Sequence, residues 1–350
     1  RVLREEAIFN PQNSLGGDVI TRIGLALEGK YKLLRNLLLS GIKDISTTLG
    51  IRKPQFTVVV GNPVMLSFYL DKPVEGFASY PFKSELKDGM FLKHPARYVF
   101  PIIGGFVGGD TIAGLLACGF LRKSGTTLYI DLGTNGEVVL AWPGSVMAVS
   151  TAAGPAFEGA GIKAGSLAVP GAIDRVYYKG GIKYHTIGNK KPIGLCASGL
   201  IDLLAVMLKQ GWLEPSGQLL KTVEIDGISI NQEDIRKLQL AIGAIHVGIE
   251  TLLLKASTMP ARIDEAIITG EFGAHLNPAS LVAVGLIPTG IKKIRLERDL
   301  PLRGAVRFLQ DDRARAEVKQ IQKISGHLEL ALEPYFGERF IWSLRLAPWK

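Results

Sequence analysis

Residues 128–137 read LYIDLGTNGE, an apolar run that ends in an aspartate and a glycine-rich turn. The run Thr126–Ile130 predicts a buried strand, and Glu137–Trp142 predicts a second strand after the turn. The first of these strands therefore delivers Asp131 into the turn that joins them.

The turn itself combines glycines with polar side chains. Because it contains Gly133 and Gly136, it can point several backbone N–H groups at a phosphate, while Thr134 and Asn135 add polar contacts. Asp131 can hold a water bound to Mg²⁺ or orient an attacking water. The alternative is structural, since Asn-Gly is also a common pair in plain hairpin turns.

Two later loops also have a composition that suits ligand binding. Residues 152–161 combine small residues with a single charge, Glu158, and the alternative is a loop packed closely against a helix. The predicted strand Ala266–Thr269 leads into Gly270 and Gly273, which bracket Phe272. Such a turn suits an adenine or a ribose laid across the backbone.

An earlier glycine-rich turn, residues 104–110, follows the predicted strand Val99–Ile103 and precedes the predicted helix Thr111–Leu121. It places Asp110 at the start of that helix. A carboxylate there either serves a site or simply caps the helix, and capping is the favoured interpretation.

Length and composition predict two globular lobes. The chain has 350 residues, and single cores stop growing at roughly 250–300 residues. A hydrophobic fraction of 47%, with 41 glycines and 21% charged residues, is typical of an α/β chain. The polar break Lys123–Gly125 predicts a boundary near residue 124. The longest apolar stretches are about half the roughly 20 residues that a bilayer span needs, which favours a soluble, cytoplasmic protein without a membrane segment.

The formal net charge of +9 can attract an anionic ligand or an acidic partner protein. Zinc-finger, helix-turn-helix and aromatic-stacking signatures are missing from the sequence, so a solvated basic face is favoured over nucleic-acid binding. Much of the positive excess lies late in the chain, at Lys292, Lys293, Arg295, Arg298, Arg303 and Arg307.

Several other kinds of chemistry are excluded by spacing. Cys118 and Cys196 are far apart, so they form neither a disulfide framework nor a four-cysteine metal site. His94, His246 and His275 share no metal-ligand spacing, and the sequence contains no Walker loop. Any ATP would therefore be held by hairpin loops.

Hydrophobic periodicity predicts the remaining elements. Arg1–Asn10 resembles the second half of a hairpin, and Asn231 is placed to cap a long helix. Further helices are predicted over 17–28, 33–48 and 311–324, a strand over 56–60, and a terminal strand or helix over 340–346.

Taken together, the loops resemble the family of ATP-dependent reductive activators of corrinoid proteins, and the resemblance covers nearly the whole chain. The matching motifs are Asn10–Gln12, Gly17–Ile20, Val60–Asn62, Gly105–Thr111, Ile130–Glu137, Ala152–Ala160, Pro170–Ile173, Ser198–Asp202 and Gln239–Ala241.

The resemblance implies an α/β fold with two lobes of the ASKHA type. This ribonuclease H-like fold is shared by actin, Hsp70 and the acetate and sugar kinases. The first lobe is expected over 1–124, apparently without its first hairpin, and the second over 125–350. The implied ligands are ATP and Mg²⁺, with Asp131, Glu158 and Asp110 as catalytic residues and Asp131 at the metal. The implied nucleotide contacts are Asp131, Gly133, Thr134, Asn135, Gly136, Glu137, Gly154, Pro155, Gly270, Phe272 and Gly273.

The resemblance also implies a function: ATP turnover drives the reduction of a Co(II) corrinoid to Co(I). The partner would be a corrinoid protein or a corrinoid-dependent methyltransferase, without nucleic acid or membrane, and a homodimer is an open alternative. In the family, a [2Fe-2S] domain and a first Asp-x-Gly-Thr phosphate loop precede this region, and the chain is expected to start after both.

One local departure from the family pattern concerns Glu271, where a second glycine is usual. A carboxylate beside a nucleotide would repel phosphate unless it faces away or pairs with a cation. Two alternatives therefore stay open, namely a small-molecule kinase of the same superfamily and a non-catalytic module that docks to a corrinoid protein.

Overall fold

The computed structural model describes residues 2–133, 135–270 and 275–349. The chain divides into two compact units of unequal length. The first unit comprises Arg1–Lys123, Gly144–Val146 and Leu300–His327, and the second comprises Ser124–Pro143, Met147–Asp299 and Leu328–Lys350.

The α-helices of the described chain are α1 Val19–Leu25, α2 Tyr31–Thr48, α3 Pro63–Leu70, α4 Gly109–Ala117, α5 Ala197–Lys209, α6 Gln232–Lys255, α7 Pro278–Ala283, α8 Leu300–Gln310, α9 Asp312–Ile324 and α10 Phe336–Ser343.

The strands of the described chain are β1 Thr57–Val59, β2 Met90–Leu92, β3 Arg97–Val99, β4 Thr126–Leu132, β5 Gly136–Trp142, β6 Ser145–Thr151, β7 Ala172–Tyr178, β8 Ile182–Thr186, β9 Gly194–Leu195, β10 Val223–Ile225, β11 Ile228–Ile230, β12 Ile263–Thr269, β13 Ile294–Leu296 and β14 Ser325–His327.

The first unit has a three-stranded sheet in the order β1-β3-β2, in which β1 and β3 are parallel and β2 is antiparallel to β3. The helix predicted over 111–121 is confirmed as α4, which starts two residues earlier. It ends at Ala117 because Gly119 takes a positive φ of 64° that terminates the helical path. The parallel pair brings the loops after β1 and β3 to one edge of this sheet, where the Gly109 N–H donates to the Gly61 carbonyl at 2.9 Å.

The prediction of a hairpin strand over Arg1–Asn10 is wrong for the described part of that segment, since residues 2–10 are not a strand. They have no strand beside them. Instead the segment runs along α2, where Arg4 donates to the Leu49 carbonyl at 3.0 Å, and its apolar residues Leu3 and Phe9 remain exposed.

The second unit is built on a sheet in which the strands run in the order β13-β12-β4-β5-β6. Strands β13, β12 and β4 are parallel, whereas β4 and β5 form the predicted antiparallel hairpin. Side chains from alternate positions of β4 and β5, together with α5 and α6, form the largest apolar cluster of this unit. Burial of these side chains at about 25 cal/mol per Å² of apolar surface is the main term that stabilises the unit.

The central helix of that cluster is α6, which Asn231 begins as the sequence predicts. The Asn231 side chain accepts the Asp234 N–H at 2.9 Å, and the Asp234 carboxylate accepts the Asn231 N–H at 3.4 Å, which completes a capping box. Among the described residues, α6 alone is long and apolar enough to cross a membrane. Most of it is buried within this unit, as is usual for a core helix.

A second, smaller sheet of the same unit has the order β8-β7-β9, and α5 packs against β7. A Cβ at Gly199 on α5 would lie 2.1 Å from the Ile173 carbonyl oxygen, so glycine is required for this helix to approach the strand. Asp202, one turn further along α5, accepts the Ser280 hydroxyl at 2.6 Å and the Val176 N–H at 3.3 Å. Burial raises the pKa of Asp202, and these contacts make it a packing residue that joins α5, β7 and α7.

Close helix packing in the first unit provides a stability test. A Cβ at Gly304 on α8 would lie 1.9 Å from the Ala113 carbonyl oxygen of α4, so Gly304→Ala must push two helix backbones apart. We expect a loss of about 3 kcal/mol in the free energy of unfolding, the upper end for overpacking. Gly24→Ala on α1 is the matched control, because a Cβ there meets no atom within 4 Å. It should stabilise by up to about 1 kcal/mol. Urea unfolding of both variants measures this, and equal stabilities would contradict the close crossing.

Candidate functional site

A row of polar side chains crosses the main sheet of the second unit where its strands end. Thr269 on β12 pairs in register with Asp131 on β4, and Asp131 pairs with Glu137 on β5. Side chains of directly paired residues point to the same side of a sheet, so the three lie side by side on one face. The opposite face is apolar, with Ile130 and Leu132 in the core.

Asp131 is half-buried and has an aromatic neighbour on its own strand. The Tyr129 hydroxyl donates to Asp131 Oδ2 at 3.3 Å, and Tyr129 itself is wholly buried. A hydrogen bond from a fixed phenol orients the carboxylate. Asp131 thus lies near the end of β4 with its carboxylate oriented by this hydrogen bond.

Thr269 is the residue of this row that the sequence analysis does not single out. It is 0% exposed, and its hydroxyl has no hydrogen-bond partner within the described residues. Leaving a buried hydroxyl unpaired costs about 1–3 kcal/mol, so such a group calls for an explanation. Its place next to Asp131 suggests a ligand as the missing partner.

Gly270, directly after Thr269, brings the ends of β12 and β4 together. Its φ is +106°, and a Cβ there would lie 2.1 Å from the Leu132 carbonyl oxygen. Only glycine combines that backbone conformation with that proximity. The loop after β12 and the turn after β4 therefore start from adjoining backbone.

Gly136 has a different reason for being glycine. A Cβ there would lie 2.1 Å from Ile245 Cδ1 on α6 and 2.7 Å from the Thr151 hydroxyl, and that hydroxyl donates to the Gly136 carbonyl at 3.0 Å. Gly136 is therefore fixed by packing. The same bond ties the end of β6 to the start of β5.

The loop after β6 therefore begins at the same edge of the sheet as the turn between β4 and β5. Gly154 has φ 70° and ψ 176°, a conformation that side chains rarely adopt, and a Cβ there would meet no atom within 4 Å. A short 3₁₀ helix, Pro155–Glu158, follows and is anchored by buried Ala156 and Phe157. Glu158 is half-buried. The backbone at Gly154 is thus open to approach by a ligand.

The second unit accordingly gathers most of the predicted site. Thr134, Phe272 and Gly273, along with Glu271, lie outside the described residues. The predicted site residues that lie where β4, β5 and β12 meet at one sheet edge are Asp131, Gly133, Asn135, Gly136, Glu137 and Gly270. Gly154, Pro155 and Glu158 follow β6, whose last residue, Thr151, is hydrogen-bonded to Gly136. Within the described ranges, no three His, Cys, Asp or Glu side chains converge as a ready metal site.

Asp110 lies in the first unit, in the first turn of α4. Its carboxylate accepts the N–H of the next residue, Thr111, at 2.8 Å. The capping position is held by Gly108, which lies before α4, so the favoured interpretation of Asp110 as the helix cap is wrong. Burial raises the pKa of Asp110 to about 6, although the hydrogen bond opposes that rise. A Cβ at Gly108 would lie 2.9 Å from this carboxylate and 2.2 Å from the Gly61 carbonyl oxygen, so the loops after β1 and β3 meet here.

A half-buried histidine lies against the same glycine-rich turn. His327 on β14 contacts this turn: a Cβ added at Gly105 would lie 2.5 Å from the imidazole Cε1, and one added at Gly104 would lie 3.1 Å from His327 Cβ. Burial lowers the pKa of His327 to about 4. The imidazole is therefore neutral at pH 7 and packs as a flat side chain on the turn.

The fold and these loops place the chain in the ASKHA class of proteins. The chain belongs to the RACo family, the reductive activators of corrinoid proteins. The model of the RACo middle region matches residues 1–123, and that of the C-terminal domain of RACo, the ASKHA domain, matches residues 125–349. The family and fold class predicted from the loop motifs are thereby confirmed.

Individual relatives agree with that membership. The chain is similar to the corrinoid activation enzyme RamQ of Eubacterium limosum, with 30% identity over 97% of this chain and 65% of the relative. It is 25% identical to a reductase of a Co(II) methylated amine-specific corrinoid protein from Methanosarcina barkeri, over 94% of this chain and 70% of the relative. A solved reductive activator for corrinoid, iron-sulfur protein superposes with a TM-score of 0.87 and 31% identity, over 99% of this chain and 62% of that one. The chain thus spans less than two thirds of RamQ and of the solved protein.

The raised pKa of Asp110 predicts a pH-dependent stability. Between pH 3.8 and about 6 the folded chain binds more protons at Asp110 than the unfolded chain does, so stability falls as pH rises through that window. Asp110→Asn keeps an acceptor oxygen for Thr111 but removes the buried charge. We expect it to raise the free energy of unfolding above pH 6 by roughly 3 kcal/mol at most, and to change nothing near pH 3. Urea unfolding at both pH values measures this, and an unchanged or lower stability at pH 8 would contradict the burial of an ionised carboxylate.

Proposed function

We propose that this chain is the nucleotide-binding part of an ATP-dependent reductive activator of corrinoid proteins. In this function, hydrolysis of ATP to ADP and phosphate is coupled to a one-electron reduction of Co(II) to Co(I) in a corrinoid held by a partner protein. The observation that carries the proposal is the row Thr269, Asp131 and Glu137, which lies between glycine loops at one sheet edge.

The loops supply what a nucleotide requires. The backbone between Gly133 and Gly136 and the open backbone at Gly154 are places where N–H groups can approach phosphate oxygens. Gly270 comes directly before the residues that are expected to hold the adenosine, and its backbone adjoins Leu132 at the end of β4, next to the phosphate turn. A mononucleotide fits this arrangement of adjoining loops.

The polar row fits a divalent cation. Two carboxylates directly opposite each other on neighbouring strands repel, and Asp131 and Glu137 are in that arrangement. Mg²⁺ would be held by Asp131 and Glu137, where it would offset this repulsion and would supply positive charge toward the phosphate. The unpartnered Thr269 hydroxyl adds an oxygen beside Asp131, and oxygen ligands are those that Mg²⁺ prefers. Asp131 is the residue we assign to orienting the attacking water.

The reductive half of the function needs an electron donor. The family resemblance points to a [2Fe-2S] domain as the source of that electron. The partner is a corrinoid protein or a corrinoid-dependent methyltransferase, a proposal supported by the names of the relatives. The homodimer and the cytoplasmic location stay predictions.

Calorimetric titration with Mg-ATP, and then with Mg-ADP, is the first experiment. Micromolar binding supports the activator. A chain that binds neither nucleotide at millimolar concentration would overturn the proposal and favour the docking module. Binding of ATP that is hydrolysed only when a small hydroxyl or carboxylate acceptor is added would favour the kinase.

The role of Asp131 gives a direct test. Asp131→Asn removes the negative charge that orients water and cation, so we expect Mg-ATP hydrolysis to fall at least about 100-fold, while the thermal midpoint stays close to wild type. Asp226→Asn is the matched control, because it makes the same change on an exposed turn between β10 and β11. Turnover of Asp131→Asn equal to that of the control would remove the assignment.

Substitutions at Thr269 distinguish a role in ligand binding from a structural role. Thr269→Val keeps the shape and removes the hydroxyl, so affinity for Mg-ATP should fall about 5- to 10-fold, the effect of one lost hydrogen bond. The unliganded variant should be at least as stable as wild type, because an unpaired buried hydroxyl is gone. Thr269→Ser keeps the hydroxyl and should bind nearly normally. A more stable Thr269→Val variant with unchanged affinity would show that the hydroxyl contacts no ligand.

A further inference from the structure

The last helix of the second unit, α10, exposes large apolar side chains. Trp342 is 77% exposed and Ile341 is 68% exposed, the highest fractions for any large apolar side chain within the described helices and strands. Tyr335, which directly precedes the helix, is 70% exposed. Of the four tryptophans, Trp342 alone is exposed. Large apolar side chains that are grouped in this way on a surface mark a place where another molecule binds.

The opposite side of α10 fixes the helix on the second unit. Ser343 is buried, and Phe336 and Phe340, one turn apart on the half-buried side, stack with their ring centroids 6.1 Å apart. Directly after the helix, the Leu344 carbonyl accepts a side-chain N–H of Gln239 on α6 at 2.6 Å. The exposed residues are therefore presented by an anchored helix, so little conformational entropy is lost when a partner covers them.

The exposed side of α10 has a charge at each end. Four exposed residues follow one another at the i, i+3, i+4, i+7 spacing that places side chains on one side of a helix, namely Glu338, Ile341, Trp342 and Arg345. The turn continues past the last residue of α10, because the Arg345 N–H donates to the Trp342 carbonyl at 3.2 Å. We call these four residues, together with Tyr335, the α10 face.

The charges of the α10 face are placed symmetrically about its apolar centre. Glu338 lies three residues before Ile341, and Arg345 lies three residues after Trp342. If two α10 helices pack antiparallel with a twofold axis between Ile341 and Trp342, each Glu338 faces Arg345 of the other copy. Each Ile341 then faces Trp342 of the other copy. A twofold interface requires such self-complementarity, since one patch must fit a copy of itself.

This placement distinguishes the α10 face from other exposed surfaces of the chain. Exposed charges without an ion pair occur elsewhere, and so do single exposed apolar side chains. On α10 an exposed acid and an exposed base flank the two most exposed apolar side chains of the described helices and strands. Trp, Tyr and Arg, which are enriched in protein interfaces, are all present.

The area of the α10 face is appropriate for a dimer. An aromatic side chain buries about 150–250 Å². At their observed exposures, Trp342, Tyr335 and Ile341 together offer on the order of 450 Å² per copy. A standard interface uses about 800 Å² per partner, so these three side chains supply more than half of it. The charged side chains at the two ends add to that area.

A membrane surface or an unrelated protein fits the face less well. Helices that lie on membranes carry Lys and Arg on the polar side, whereas Glu338 adjoins the apolar pair here. An unrelated partner would not require charges placed symmetrically about the apolar centre. A second copy of this chain is the occupant that this symmetry favours.

We propose that the α10 face is a twofold interface through which two copies of this chain form a homodimer. In the dimer the two α10 helices pack antiparallel, with Trp342 against Ile341 of the other copy at the centre. A Glu338–Arg345 pair lies at each end. None of these residues belongs to the proposed nucleotide site, so the interface is independent of the proposed function.

Sedimentation equilibrium of the whole chain over roughly 1–100 µM, the range around a micromolar dissociation constant, measures the association. We expect the wild type to dimerise and Trp342→Ala to raise the dissociation constant at least about 100-fold, because a buried central tryptophan contributes much of the affinity. Tyr177→Ala is the matched control, since it removes an exposed aromatic ring from β7. It should dimerise as the wild type does. A wild type that is monomeric throughout, or unchanged dimerisation of Trp342→Ala, would overturn the interface.

The charge pairs test the antiparallel packing. Glu338→Arg places like charges opposite each other at both ends of the interface, and so does Arg345→Glu. Each variant alone should dimerise about 10-fold more weakly than wild type, or worse. An equal mixture of the two should associate nearly as well as wild type, because the two introduced charges then face each other and the two native charges do so as well. A mixture that associates as weakly as either variant alone would contradict this packing and overturn the interface.

Two further measurements separate this interface from the proposed function and from other occupants. All of these variants should keep the thermal midpoint of the wild type and bind Mg-ATP as it does. A chain that dimerises through α10 but binds no Mg-ATP would support the interface and overturn the activator. If the wild type is monomeric, and binds anionic phospholipid vesicles or the purified Co(II) corrinoid protein only while Trp342 is intact, the face serves that occupant and the homodimer is overturned.

Discussion

The contact between Gly270 and the carbonyl oxygen of Leu132 is the constraint on which the candidate site depends. A single methyl group at position 270 would occupy the space of that oxygen, so the ends of β12 and β4 can adjoin only while position 270 is glycine. With those ends adjoining, Thr269 and Asp131 lie side by side at one edge of the sheet. The apolar cluster on the opposite face holds the strands in this register, because a slip of one residue would turn its side chains away from the core.

Much of the local structure could be predicted from the sequence, because it depends on near neighbours along the chain. The apolar runs of β4, β5 and β12 and the cap at Asn231 are patterns of that kind, and each is confirmed. Thr269 was missed because a threonine at the end of an apolar run is an ordinary strand residue. Only the register of β12 against β4, which joins segments more than 130 residues apart in sequence, places it beside Asp131.

Features that depend on distant partners were predicted less well. The apolar residues at the N-terminus resemble a strand, yet a strand needs a neighbour, and residues 2–10 lie along a helix instead. Charge behaves similarly, since composition counts lysines and arginines without showing which carboxylates they meet. Of the late basic residues, Lys292, Lys293, Arg295 and Arg307 meet carboxylates on neighbouring strands and helices. The site roles of Asp131, Glu158 and Asp110 stay predictions, with Asp110 on a different unit from the other two.

The places where a glycine touches another backbone also limit how this protein can evolve. At Gly199, Gly270 and Gly304 the obstructing atom is a main-chain carbonyl oxygen, 2.1 Å, 2.1 Å and 1.9 Å from where a Cβ would be. A carbonyl oxygen is present whatever side chain its residue carries, so no compensating substitution at the neighbouring position can make room. Core side chains can be exchanged in volume-conserving sets as a lineage diverges, but these positions cannot take part in such exchanges. Descendants that have lost most of their other identities would still carry this sparse set of glycines, which makes it a durable record of ancestry.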